Sequence, residues 1–131
     1  HGLSFRFNSI KSDDDYLLRA SEVAQSPLII FKVPPGEYRW NNLGIYYPKG
    51  YALHDLRPDK FSIKAGAINY LGDIYVKFDR EITGRKFISK VLIKNINNPG
   101  KVVSSIKKML PNLSKRTKFH NIKSQPELLR K

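Results

Sequence analysis

Apolar and polar residues alternate with a period of two along most of this chain as far as Lys94, and a helical period enters only once, after Pro99. That pattern restricts the chain to a mainly β architecture, because period two buries one face of a strand and a helix needs period 3.6. Leu3, Phe5 and Phe7 alternate with Ser4, Arg6 and Asn8, and Tyr16–Ala20 is a second short strand. Pro27–Val33 is a β-branched apolar run that reads as a central strand. It is closed by Pro34-Pro35-Gly36 as a tight turn, and Glu37–Asn41 returns beside it. Leu43–Tyr47 reads as a short strand followed by an irregular loop carrying Gly50, His54, Arg57 and Pro58. Lys60–Ala65, then Ile68–Phe78 with Gly72 as a bulge or a close approach, then Lys86–Lys94 complete the strands, with Arg80–Arg85 as a loop.

After Pro99-Gly100, the residues Val102, Val103, Ile106, Met109 and Leu110 fall on one helical stripe, so a helix is expected over 101–110, stopped by Pro111. Helical segments do not separate the strands, which excludes a parallel α/β sheet. The expected fold is an antiparallel β-sandwich of about seven strands, prealbumin-like or immunoglobulin-like, with one C-terminal helix. Residues 1–113 form that single domain. From residue 114 a basic tail is expected, extended or partly disordered, with Phe119 and Ile122 as anchors.

Charge divides the chain. Of the net +13, residues 1–79 carry +1 and residues 80–131 carry +12, with Glu81 and Glu127 the only acids in the second part. An asymmetry of this kind points to an anionic partner: a lipid surface, a polyanion or an acidic protein. The residues expected to meet it are Arg80, Arg85, Lys86, Lys90, Lys94, Lys107, Lys108, Lys115, Arg116 and Lys118. Lys86, Lys90 and Lys94 share parity and should project from one exposed face, since unpaired ammonium groups are costly to bury.

Other constellations carry less chemistry. Ser12-Asp13-Asp14-Asp15 lacks the alternating ligand spacing of a calcium loop and reads as a solvated turn. His54 with Asp55 and Asp59 has the residue types of a metal site but no second His nearby. The chain holds no Cys, and no nucleophile elbow, phosphate loop or zinc-protease helix is present, so neither an enzyme, a cofactor nor a metal is expected. Trp40, Tyr46, Tyr47 and Tyr51 form an aromatic group that would suit a ligand surface for bases or sugars, or would pack as ordinary strand residues.

The run LIIFKVPPGEY from Leu28 to Tyr38 and the run FSIKAGAINYLGDI from Phe61 to Ile74 resemble small bacterial envelope proteins, many of them lipoproteins, with prealbumin-type or collagen-adhesin-B-type β-sandwiches. A strand, an Asn-rich turn and a helix ending near Pro, as in Ile93–Asn112, belong to the same pattern, which covers about residues 28–113. The excess of positive charge does not. The resemblance implies a periplasmic or outer-membrane-associated protein. The opening His-Gly in place of Met reads as a processed product or an expression product, with three alternatives for the preceding segment: a signal peptide, a lipid-anchor signal or a tag junction. The functional expectation is a non-catalytic envelope domain that binds an anionic surface or protein partner through its basic C-terminal part. The alternatives are a single-stranded nucleic-acid-binding β-barrel and a sugar-binding or small hydrolase domain.

Overall fold

The computed structural model describes residues 2–21, 31–47, 50–83, 86–112 and 118–129, with the backbone alone at 20–21, 47, 78–83 and 86–90. It is mainly β with one helix and has a sandwich-like build. The strands are β1 (Gly2–Ser9), β2 (Asp15–Ser21), β3 (Gly36–Tyr47), β4 (Gly50–Asp55), β5 (Lys60–Ile63), β6 (Ala67–Tyr70), β7 (Asp73–Thr83), β8 (Lys86–Ile96) and β9 (Lys118–Asn121). Helix α1 spans Pro99–Met109.

The main sheet is ordered β2-β1-β3-β4, with β5 paired to the first residues of β3. Its inner face is aromatic. Phe5 and Phe7 from β1, Tyr16 from β2, Tyr38 and Trp40 from β3 and Phe61 from β5 form one connected set of rings. Its tightest pair is the stack of Trp40 on Phe61, with centroids 4.5 Å apart. Such pairs add about 0.5–1.5 kcal/mol each beyond the area they bury. Leu43 and Ile45 continue the same face and are fully buried.

Leu43 lies three positions after Trp40, a spacing that would send them to opposite faces of a regular strand. The register explains their shared burial: Arg6 pairs with Asn42 but Phe7 pairs with Trp40, so Asn41 is an extra residue in a β-bulge. The Glu37–Asn41 and Leu43–Tyr47 segments are therefore one strand, and the expected irregular loop contains β4.

Packed against this face is a second layer. The hairpin β7–β8 contributes Ile74, Val76, Val91 and Ile93. The short pair β6–β9 is parallel, unlike the antiparallel arrangement expected throughout. Helix α1 lies on it through Val102 and Ile106, which join Tyr70 in a separate small core flanked by Ile68 and Phe119.

Several expectations are corrected. Phe31–Val33 is not strand, and Tyr38 pairs with Ser9 and Phe61 instead of a hairpin partner across Pro34-Pro35-Gly36; residues 27–30 lie outside the described residues. The Tyr38 hydroxyl donates to the Pro34 carbonyl, which ties the incoming segment to the core. The single strand expected over 68–78 is broken at Leu71-Gly72, where Gly72 takes a φ of 109° and a Cβ would lie 2.4 Å from the Gln125 amide. Arg80–Thr83 belongs to β7 and not to a loop.

Residues 118–129 are no appended tail. Ile122 belongs to the main core and Pro126 is fully buried. The Trp40 indole N–H donates to the Ser124 carbonyl at 3.3 Å, and Leu128 bridges Leu56. This segment closes one side of the sandwich.

Candidate anionic-partner surface

The described positive charge gathers on the layer made by α1, β6 and β9. Asn98 caps the helix, its side chain accepting from the Lys101 N–H, and Pro99 occupies the first turn where its missing N–H costs nothing. Two hydrogen bonds of Tyr70 hold this helix start to the sheet: its hydroxyl accepts from the Asn98 N–H at 3.2 Å and donates to Asp73 Oδ1 at 3.3 Å. Burial, with a further push from Asp73, raises the Tyr70 phenol above its usual range against the opposing pull of the Asn98 N–H. The phenol is thus a stable donor. With its inner stripe pinned, α1 turns Lys101, Lys107 and Lys108 to solvent, and the last two offset the negative helix C-terminus.

Lys64 before β6, Lys118 in β9 and Lys123 after it are exposed as well. The segments 64–70, 98–112 and 118–123 contain no Asp or Glu. The ion pairs Arg6–Asp15, Arg57–Asp59 and Arg57–Glu127 engage no lysine of this layer.

The hairpin is electrically different. Lys94 is exposed, as expected, opposite Tyr75, and Lys77 is exposed opposite Leu92. The register sets Lys90 opposite Asp79 and Lys86 opposite Thr83, two positions from Glu81, so acids of β7 run beside the lysines of β8. Arg80 sits opposite Ser89, in the alternate register to Lys90 and Lys94. The side chains of Arg80, Lys86 and Lys90, and all of Arg85, Lys115 and Arg116, lie outside the described residues. Of the expected basic positions, Lys107, Lys108 and Lys118 are therefore the ones brought onto the acid-free layer. Lys64, Lys101 and Lys123 join them without having been singled out. The signal for two of the three was the absence of any acid between Glu81 and Glu127.

The aromatic group does not form a ligand platform. Trp40 is only 1% exposed and is a core residue, because the bulge turns it inward. Tyr46 and Tyr51 are a cross-strand pair, 39% and 67% exposed, with ring centroids 6.1 Å apart. They stand on the face opposite Ile45 and Leu43, turned away from the second layer. Tyr46 lies over Gly44, where a Cβ would meet the Ser4 Oγ at 2.6 Å, and its hydroxyl accepts from that Ser4. The Tyr47 side chain lies outside the described residues.

A groove of about 770 Å³ runs between β8 and the C-terminal segment, lined by Leu92, Ile93, Leu128 and Leu129 with Arg57 and Lys94. The Arg57 guanidinium is already engaged there by Glu127 at 2.9 Å and Asp59 at 3.5 Å. Asp59 is thus tied to Arg57, and His54 sits on β4 opposite Leu43. Among the described residues no cluster of three or more His, Cys, Asp or Glu could hold a metal ion. In the Ser12–Asp15 turn the Ser12 hydroxyl donates to Asp14 and Asp15 pairs with Arg6. No helix of the described residues is long and apolar enough to cross a membrane. No protein-family model, curated protein or solved structure matches this chain.

Proposed function

We propose that this chain is a non-catalytic interaction domain that binds an anionic surface or polyanion through the α1–β6–β9 layer. The observation that carries the reading is that all six described lysines of that layer are exposed, with no acid in its segments. Like charges gathered in one layer, outside the ion pairs Arg6–Asp15, Arg57–Asp59 and Arg57–Glu127, raise the local potential and draw an anionic partner at long range. Placement in the bacterial envelope, in the periplasm or at the outer membrane, rests on the resemblance carried by Phe61–Ile74 and its neighbours. A single-stranded nucleic-acid site is less well supported, because such sites interleave rings with cations, and here Tyr46 and Tyr51 stand on the face turned away from the second layer.

The test is retention on immobilised heparin under a salt gradient. The parent should elute well above physiological salt. The triple variant Lys107→Gln, Lys108→Gln, Lys118→Gln should elute much earlier, while Lys11→Gln with Lys60→Gln, exposed on the main sheet side, should shift it little. Equal elution of the triple variant and the parent would remove the layer from the account.

A further inference from the structure

The apolar stripe of α1 outruns its support. Val102 and Ile106 are buried against Tyr70, but Met109, one turn on, is 57% exposed and Leu110 is 37% exposed. Leu110 is still held in the last turn by its N–H bond to the Ile106 carbonyl at 2.7 Å. The helix therefore ends with two large apolar side chains in water, next in sequence to the exposed Lys107 and Lys108. We infer that this end of α1 docks on an anionic lipid bilayer, with Met109 and Leu110 entering the headgroup region and the surrounding lysines meeting lipid phosphates. The inference rests on the proposed reading of the same layer and names its partner.

Three observations select a bilayer over other anions. A purely ionic polyanion leaves Met109 and Leu110 in water, whereas the boundary between headgroups and acyl chains takes up apolar side chains while anionic lipid draws in the lysines. Neither a thioether nor an aliphatic side chain offers the flat π-face on which bases stack, which disfavours nucleic acid. The cations of the described layer are all lysine. Protein interfaces are depleted in Lys and enriched in Arg, while a lysine can lay its methylene stem along the apolar surface and keep its ammonium at the phosphates.

The chain has no Cys, so Met109→Cys can carry a single environment-sensitive fluorophore, with Lys60→Cys on β5 as the control site. On vesicles of phosphatidylcholine with phosphatidylglycerol, the label at 109 should brighten and shift to the blue, and the label at 60 should not. Neither should respond to phosphatidylcholine alone, to heparin or to a DNA oligonucleotide. The unlabelled variant Met109→Ser with Leu110→Ser should bind the anionic vesicles about tenfold more weakly, a change of about one decade in Kd, and elute from heparin as the parent does. A label at 109 that stays dark on vesicles that sediment the protein overturns the inference. So does a double-serine variant that binds vesicles as well as the parent, or a label that responds to the oligonucleotide instead. Heparin retention without vesicle binding overturns the lipid partner and leaves the polyanion reading intact. Failure on both supports overturns both.

Discussion

The Tyr70 hydroxyl accepts the backbone N–H of Asn98 at 3.2 Å, which fastens the cap of α1 to the last residue of β6. Because the same hydroxyl donates to Asp73 at the start of β7, one side chain joins helix, short sheet and hairpin. Replacing Tyr70 with Phe keeps the ring and removes both bonds. The expected loss is about 1–2 kcal/mol in urea unfolding, because the Asn98 N–H and Asp73 each lose a partner. A loss near zero would mean that water substitutes for the hydroxyl and that the helix is held by its apolar stripe alone.

The buried phenols also set an alkaline limit. Tyr70 and Tyr38 both titrate above the usual 10.0 in the folded chain, chiefly because burial disfavours the phenolate. Well below that pH both folded and unfolded chains keep the protons and the contribution is constant. As pH rises past 10.0, the unfolded chain releases them first, so stability falls until the folded phenols ionise too. Urea midpoints measured from about pH 8 to pH 11 should drop at the alkaline end, and Tyr70→Phe should flatten the drop. A midpoint that holds level through that range would show the phenols to be solvated.

The contrast between Ile106 and Met109 separates core from surface within one stripe. Ile106 is 5% exposed, so Ile106→Ala should cost about 2–4 kcal/mol as a cavity opens beneath the helix. Met109→Ala should cost less than about 0.5 kcal/mol, since that side chain fills no space in the core. Thermal unfolding of the two variants, each against the parent, decides the matter. Similar losses would place Met109 in a packed site.

Periodicity made the strands legible but not their joints. The three-residue interval between Trp40 and Leu43 looks like a strand end, because a bulge is written in the pairing register with β1 and not in the strand's own sequence. At Gly72 the sequence marks a bulge or a close approach, and the structure has Gln125, over fifty residues away, against it; that the apolar alternation over 68–78 breaks there into two strands is not written in the alternation itself. Charge was legible in part. The acid-free stretch before Glu127 pointed to α1 and β9, while the placing of Asp79 opposite Lys90 is visible only once the hairpin register is known. The bulge makes a sharp prediction. Deleting Asn41 sets Trp40 two positions before Leu43, so a regular strand still turns Tyr38 and Trp40 inward opposite Ser9 and Phe7. That variant should fold with a loss of about 1–2 kcal/mol, since the Leu56 N–H loses the Asn41 carbonyl as its acceptor, whereas Asn41→Ala should change stability by less than about 0.5 kcal/mol. Circular dichroism and Trp40 emission report both. A deletion variant that loses the β signal or the emission of a buried Trp40 would show that Asn41 does more than absorb the register shift.

Polar composition made residues 118–129 look like a tail, because single apolar residues at 119, 122 and 128 give no period to read. Their burial is a tertiary effect. Ile122 is 4% exposed within the aromatic core, its N–H donates to the Tyr70 carbonyl at 2.8 Å, and the segment beyond it accepts the Trp40 indole N–H through Ser124. Ile122→Ala should therefore cost about 2–4 kcal/mol, as for any large-to-small change in a closed core. Ending the chain at Asn112 should do more. It uncovers Phe119's partner Tyr70, strips β6 of its only described partner strand and exposes the edge of Trp40 to water. The truncated chain should show red-shifted Trp40 emission and a broad, weakly cooperative urea transition. Native emission with an unchanged midpoint after truncation would return these residues to the status of a tail.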